Sequence, residues 1–151
     1  MIDIPTCFTY AYSAGTVADF YQALTADAAS TNYIDLDKAG INIGGAHNMP
    51  FLIVRVGTVF ATTVSINIIV QTDSATNFAT TKRDIMQVRP ALATMVAGAL
   101  LINQALPVLT LQRYLRLYFD VFTGPTGSVC AYLASGPEPH VTDYDQVEAA
   151  S

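Results

Sequence analysis

Residues 111–122 show a strict alternation of apolar and polar side chains. One parity is apolar at Leu115, Leu117, Phe119 and Val121, and the other carries Gln112, Tyr114, Arg116, Tyr118, Asp120 and Phe122. Because successive strand side chains point to opposite faces, this pattern predicts a β-strand with one face in a core and the other facing water or a partner. The turn signal Gly124-Pro125 and the run 127–135 predict a second strand, paired with the first as a long hairpin.

Two further stretches predict strands in the middle of the chain. Residues 51–60 are apolar on both faces except at Arg55, which is typical of a central strand. Residues 64–72 alternate, and their apolar members on one face are Val64, Ile66, Ile68 and Val70. The link 61–63 is short enough for a hairpin loop between these two strands.

Shorter runs predict the remaining elements. Strands are expected over 31–36, 84–89 and 98–105, separated by turn-forming residues. Residues 16–29 fit two interpretations, which the sequence leaves open. One is a short helix capped by Thr16, and the other is an extended arm that ends in a strand.

Together these elements predict an all-β fold, an antiparallel jelly-roll β-sandwich of about eight strands with extended N- and C-terminal arms. An immunoglobulin-like sandwich is the alternative architecture. We expect an N-terminal arm over residues 1–28, a jelly-roll domain over 29–135 and an exposed C-terminal tail over 136–151.

The composition changes this picture by suggesting an assembly. Apolar residues make up 52% of the chain and charged residues only 13%, against roughly 25% charged in ordinary globular proteins. A chain with so few charges is expected to bury surface against other subunits. The seven Lys and Arg residues are scattered and the net charge is −5, which disfavours nucleic-acid binding. The apolar run 92–102 is too short to span a membrane, so no membrane partner is expected.

Catalytic and metal-binding patterns are absent from the sequence. His47 and His140 fall in a predicted loop and in the tail, whereas a cupin-type metal site needs several ligands that converge from strands. Cys7 and Cys130 form no zinc or CxxC pattern. Buried or idle thiols are the favoured interpretation, and a disulfide between the two residues is the alternative. We therefore expect no enzyme activity, no metal and no cofactor.

The charged residues of greatest interest are Arg113 and Arg116. Either one could form an ion pair with Asp120 or with a carboxylate on a neighbouring strand. Alternatively, Arg116, between Tyr114 and Tyr118 on one face, belongs to a contact surface, since Tyr and Arg are enriched at interface hot spots. The full set of predicted interface residues adds aromatic and histidine side chains of the two arms: Phe8, Tyr10, Tyr12, His140 and Tyr144.

Three motifs occur in a characteristic order: ASTNYIDL at Ala29–Leu36, VQTDSATNF at Val70–Phe78 and QRYLRLYFDVFTG at Gln112–Gly124. With the apolar, Ala- and Gly-rich stretch 91–102 between the last two, the chain resembles the capsid cement, or decoration, proteins of podovirus-type tailed phages. This family is typified by the Bordetella phage cement protein. The resemblance covers residues 28–135 and does not extend to the two ends of the chain.

The resemblance implies a jelly-roll protein without enzymatic activity that binds the outer face of the major capsid shell and holds capsomers together. Its partners would be the major capsid protein and itself, with a homodimer favoured and a trimer as the alternative. It would be made in the host cytoplasm and carried on the outer surface of the virion. Two competing hypotheses are a jelly-roll carbohydrate-binding head or fibre module, which the eight tyrosines favour, and a metal-dependent cupin enzyme.

Overall fold

The computed structural model describes residues 7–13, 16–37, 42–43, 50–60, 65–91, 95–107, 109–122 and 127–137, and every regular element in these ranges is a β-strand. The strands in chain order are β1 (Ala11–Ser13), β2 (Thr16–Asp19), β3 (Gln22–Leu24), β4 (Ala28–Ala29), β5 (Ile34–Asp35), β6 (Asn42–Ile43), β7 (Phe51–Val56), β8 (Ser65–Asp73), β9 (Arg83–Val88), β10 (Leu100–Ala105), β11 (Leu109–Thr110), β12 (Tyr114–Phe122) and β13 (Gly127–Ala134).

Nine of these strands form two antiparallel sheets. The first sheet has the order β10-β7-β13-β3, and the second has the order β4-β12-β8-β9, with β5 also paired to β12. Two short ribbons, β1 with β2 and β6 with β11, lie outside the sheets. The expected all-β, antiparallel sandwich is therefore confirmed.

The order of the strands is that of a jelly roll. When β4 and β5 are taken as one interrupted strand, the two sheets consist of eight strands in chain order. Strands one, eight, three and six then form the first sheet, and strands two, seven, four and five form the second. This arrangement of two interleaved Greek keys is what a jelly roll requires, and it favours the jelly-roll prediction over the immunoglobulin alternative.

Both predicted hairpins are wrong. Strand β12 pairs with β8, whereas β13 pairs with β7 and β3, so the strands on either side of Gly124-Pro125 lie in different sheets. Strands β7 and β8 are likewise in opposite sheets. Strands that are neighbours in sequence are therefore not neighbours in a sheet at these two places. Alternation shows which side chains of a strand point into the core. Because both sheets have an inner face, the alternation does not specify the sheet to which the strand belongs.

The core lies between the inner faces of the two sheets. Leu115, Leu117 and Phe119 of β12 are fully buried, as the alternation predicts. Side chains from three other strands meet them, all at 1% exposure or less: Ile66, Ile68, Val70, Leu52, Val54, Val56, Val129 and Ala131. The predicted parities of residues 111–122 and 64–72 are therefore confirmed over their described positions.

The N-terminal part of the chain packs against the first sheet. Residues 16–29 form strands β2, β3 and β4, so the helical interpretation of this segment is wrong. Phe8 is fully buried in the main core, and its backbone N–H donates to Ala131 O at 2.8 Å. Tyr10 belongs to a second cluster, with Cys7, Ile53, Cys130 and Tyr132, on the outer side of the first sheet.

Two of the predicted interface residues are buried within the subunit by this packing. Phe8 is 0% and Tyr10 is 5% exposed, so within the subunit both are core side chains and present almost no surface to a partner. The side chain of Tyr12, and His140 and Tyr144 entirely, lie outside what the structure describes. The division of the chain at residues 28 and 135 stays a prediction, although Phe8, Tyr10 and Leu24, which precede residue 28, are buried in the sandwich clusters.

The start of β13 provides a test of the packing at one end of the core. A Cβ on Gly127 would lie 2.3 Å from the ring of Phe60, which is itself 95% buried. We expect Gly127→Ala to lower the free energy of unfolding by about 1–3 kcal/mol, because the ring has to move out of a filled site. Urea denaturation measures this change.

Gly136→Ala is the matched control, since a Cβ there meets nothing within 4 Å. It should leave stability unchanged or raise it slightly by restricting the unfolded chain. Equal stability of the two variants would contradict the packing described at Gly127.

Candidate interaction surface

The outer face of the second sheet carries the side chains that the sequence singles out on β12. Tyr114, Arg116 and Tyr118 are partly buried and share one face, whereas Leu115 and Leu117 between them point into the core. On this face Arg116 lies opposite Gln71 of β8, and Tyr118 lies opposite Ile69. The structure therefore brings together the three central residues of the predicted interface.

Arg116 is held by stacking and by one hydrogen bond. Its guanidinium carbon lies 4.2 Å from the ring centroid of Phe78 and 5.9 Å from that of Tyr118. Its Nε donates to Gln71 Oε1 at 2.9 Å. Partial burial lowers the pKa of Arg116, but a guanidinium remains charged at any physiological pH. Among the described residues it makes no ion pair, so the ion-pair interpretation fails for Arg116.

Arg113 does form the expected ion pair with a neighbouring strand. Its Nε and one terminal nitrogen each donate to Asp35 of β5, both at 2.9 Å. The hydrogen bond from Arg113 lowers the pKa of the Asp35 carboxyl. The pair is surface-exposed, so its contribution to stability is small, but it fixes β5 beside the first residue of β12. There Tyr33 packs edge-on against Tyr114, with ring centroids 5.4 Å apart.

Phe78 reaches this face because a buried carboxylate shapes the loop that carries it. Asp73 ends β8 with no exposed surface, and it accepts hydrogen bonds from Ala75 N, Thr81 N and Thr81 Oγ1. These bonds fold residues 74–81 back over the sheet, and Phe78 adopts a left-handed conformation with φ of 52°. Phe78 is 4% exposed under the Arg116 guanidinium. The VQTDSATNF motif thus contains both the buried carboxylate that shapes the loop and the ring that lies under Arg116.

The surface extends past β12 through two exposed aromatic side chains. Tyr33 is 47% and Phe122 is 48% exposed, at opposite ends of β12. Arg89 lies over the Phe122 ring at 5.4 Å and donates to Ser65 Oγ at 2.8 Å. We call Tyr33, Tyr114, Arg116, Tyr118 and Phe122 the aromatic face.

Sequence reasoning did not select Tyr33, Phe78, Arg89 or Phe122 for this surface. Phe122 had the correct parity and could have been included on that signal. Tyr33 and Phe78 reach the face through the pairing of β5 with β12 and through a folded loop, and neither arrangement is visible in the alternation. The position of Arg89 depends in the same way on the pairing of β9 with β8.

The chemistry available on the aromatic face is that of binding. Exposed rings and stacked guanidinium groups offer a large, partly rigid contact area with hydrogen-bond donors at its edges. In the parts of the chain that the structure describes, no three His, Cys, Asp or Glu side chains are grouped so as to hold a metal ion. His47 and His140 both lie outside those parts. No described helix has the length and apolar character needed to cross a membrane.

The fold is a jelly-roll β-sandwich, and the outer face of its second sheet carries aromatic and guanidinium side chains. The model of the Bbp16 family, a family of Bordetella phage proteins, matches residues 18–133. The chain therefore belongs to the Bbp16 family. The match covers all nine strands of the two sheets except the last residue of β13, and it includes the whole aromatic face. A search of curated proteins finds no match.

The loop that positions Phe78 can be tested through Asp73. Burial of its carboxyl is outweighed by the donated hydrogen bonds, which hold the pKa of Asp73 below its ordinary value of 3.8. We expect Asp73→Asn to lower the free energy of unfolding at pH 7 by about 1–3 kcal/mol, since a charged acceptor is lost. The pKa of Asp73 is lower in the folded protein than in the unfolded chain. The carboxylate therefore contributes its full stabilisation at pH values above 3.8, and this stabilisation is lost as the pH falls through the folded-state pKa.

Denaturation of both proteins between pH 7 and pH 2 measures the effect, and the difference between them should shrink at the acidic end. Asp37→Asn is the control, because Asp37 is exposed and its φ of 64° suits asparagine equally well. It should change stability by less than about 0.5 kcal/mol. Full stability of Asp73→Asn at pH 7 would contradict the proposed role of the carboxylate.

Proposed function

We propose that this chain is a virion structural protein, a capsid cement protein that binds the outside of the major capsid shell and stabilises the junctions between capsomers. Membership of a phage protein family supports a structural role in the virion. The observation that carries the finer proposal is the aromatic face. It is a continuous outer sheet surface with exposed rings at both ends of β12 and an arginine stacked at its centre.

The physical basis of cementing is linkage between weak contacts. A subunit that contacts two or more shell subunits makes each later contact intramolecular, so total affinity rises without any strong single interface. Self-association, with a homodimer favoured and a trimer as the alternative, would multiply the contacts again. The low charged fraction of 13% suits a protein that buries much of its surface in such contacts.

The composition of the aromatic face suits a protein partner. Arginine and tyrosine are enriched among residues that dominate binding energy, particularly where they are already ordered before binding. Arg116 is ordered by Phe78 and Gln71, and Tyr114 is ordered by Tyr33. Little side-chain entropy would therefore be lost when a partner covers them.

Binding to purified, expanded capsid shells tests the proposal. We expect Arg116→Ala and Phe122→Ala each to weaken co-sedimentation with shells by about 30-fold, the loss that corresponds to a hot-spot truncation of about 2 kcal/mol. Val96→Ala removes a side chain that is about as exposed as Phe122, at 55% against 48%, but belongs to the loop before β10. This control should bind as the wild type does.

The melting temperature of each variant has to be measured alongside, since loss of Arg116 uncovers the Phe78 ring. Failure of the wild-type protein to bind shells would contradict the proposed function. If the wild-type protein binds shells and all three variants bind as tightly as it does, the proposed function would stand, but the aromatic face would not be the surface that binds.

A second expectation concerns the intact particle. Virions depleted of this protein should release their DNA at a lower temperature than complete virions, because each missing subunit removes several linked contacts between capsomers. Release of DNA on heating, followed with a DNA-binding dye, measures the difference. Adding back the wild-type protein should restore it, and equal heat stability of depleted and complete particles would contradict a cementing role.

A carbohydrate-binding module is the second candidate function, and the exposed pair of Tyr33 with Tyr114 favours it. Sugars stack on aromatic faces of this kind, and a jelly-roll head or fibre domain would present them outward. Micromolar binding on a glycan array, abolished by Tyr33→Ala, would support this alternative. Shell binding that persists without any glycan binding would support the cement proposal.

A further inference from the structure

The two cysteines of the chain come together on the outer side of the first sheet. Cys7 belongs to the N-terminal segment, and Cys130 is the fourth residue of β13. Both are buried, at 2% and 5% exposure, in the cluster that also contains Tyr10, Ile53 and Tyr132. They were far apart in the sequence, and only the fold reveals that they are neighbours.

The backbone holds the two residues in a defined relation. Cys7 forms an antiparallel bridge with Tyr132, and the next residue donates its N–H to Ala131 O at 2.8 Å. In this register Cys7 lies diagonally across from Cys130. The side chain of Thr9 fixes the same register, because Ala131 N donates to its Oγ1 at 2.9 Å.

The side chains make direct contact. The thiols of Cys7 and Cys130 are hydrogen-bond partners, and Cys7 Sγ also lies 3.5 Å from Ala131 O. The bond to Cys130 is the largest influence on the pKa of Cys7, which it lowers to about 6 against the opposing effect of burial. The lowered pKa favours the thiolate form of Cys7, and the thiolate is the species that attacks a disulfide.

We propose that Cys7 and Cys130 form a site of reversible intrachain disulfide formation that staples the N-terminal segment to β13. No disulfide joins the two residues in this structure. The bridge between Cys7 and Tyr132 holds the two backbones side by side, and closing the bond requires the cysteine side chains to rotate until the sulfur atoms are about 2.05 Å apart. The proposal concerns the outer side of the first sheet and does not depend on the role of the aromatic face.

The reaction requires an oxidant, and a low-molecular-weight disulfide such as oxidised glutathione is sufficient. Local opening of the segment that carries Cys7 exposes its buried sulfur. The Cys7 thiolate then attacks one sulfur of glutathione disulfide, forms a mixed disulfide and releases one glutathione thiolate. The Cys130 thiol then loses its proton and attacks Cys7 Sγ, which forms the intrachain bond and releases the second glutathione thiolate. Two electrons pass from the protein thiols to glutathione, and the reaction runs backwards in excess reduced glutathione.

The disulfide would stabilise the packing of the N-terminal segment on the outer side of the first sheet. It closes a loop that runs from residue 7 to residue 130 and contains most of both sheets, which restricts the unfolded chain strongly. On the proposed function, the chain would leave a reducing host cytoplasm with the virion and the bond would close after release. That timing rests on the proposed function, whereas the disulfide itself does not.

The test uses the full-length protein equilibrated in glutathione buffers that range from fully reduced to fully oxidised. After acid quenching, alkylation under denaturing conditions counts the remaining thiols, and peptide mass spectrometry identifies any bond between Cys7 and Cys130. We expect both thiols to disappear together in a monomer that migrates faster on a non-reducing gel. The melting temperature should rise by about 10 °C, as a loop of this length predicts.

The double variant Cys7→Ala/Cys130→Ala is the control, and its melting temperature should not depend on the glutathione ratio. Two thiols that stay available for alkylation in the most oxidising buffer would overturn the proposal, and so would bonds that form only between chains. Both of these outcomes are read on the wild-type protein, so the proposal is tested even if the variant folds poorly. None of the outcomes depends on binding to capsid shells.

Discussion

Nine consecutive residue pairs join β12 to β8, from Tyr114 opposite Asp73 to Phe122 opposite Ser65. This ladder is the constraint on which both sides of the second sheet depend. On the inner side it sets Leu117 opposite Val70, two side chains without exposed surface. A slip of one residue would turn every core side chain of the strand toward solvent, so the buried face specifies the register strongly.

The same register builds the outer surface. Arg116 lies opposite Gln71, whose amide holds the guanidinium and in turn donates to Asp84 at 2.9 Å. At the end of the ladder, Asp73 begins the loop that brings Phe78 under Arg116. A surface suited to recognition is thus a consequence of the pairing that forms the core. A partner would meet side chains that are already ordered, which lowers the entropic cost of binding.

The parts of the fold that could be predicted from the sequence are those that depend on local alternation. The inward parity of Ile66, Ile68, Leu115 and Leu117 follows from period two alone, and it is correct. The partner of each strand could not be predicted, because a jelly roll sends successive strands to opposite sheets and adjacency in sequence then misleads. Gly124-Pro125 is a genuine turn signal in the sequence, but the strands it separates are not paired with each other.

The candidate site shows the same division between local and long-range information. Tyr114, Arg116 and Tyr118 lie on one strand and could be grouped from the sequence, and the structure places them on one face. The aromatic residues of the N-terminal segment were grouped with them by residue type. Both Phe8 and Tyr10 are instead buried. Phe8 contacts β13, which lies far along the chain, and Tyr10 packs against Phe20.

These contacts explain why the aromatic face lies on the second sheet. The first sheet has an inner face in the core, and its outer face is covered by Cys7 and Tyr10, which pack with Ile53 and Tyr132. With both faces buried, this sheet serves as a support for the fold. The second sheet has its inner face in the same core, but its outer face carries half-exposed aromatic side chains such as Phe122. The described part of the N-terminal segment thus packs on the first sheet, and the aromatic face lies on the second.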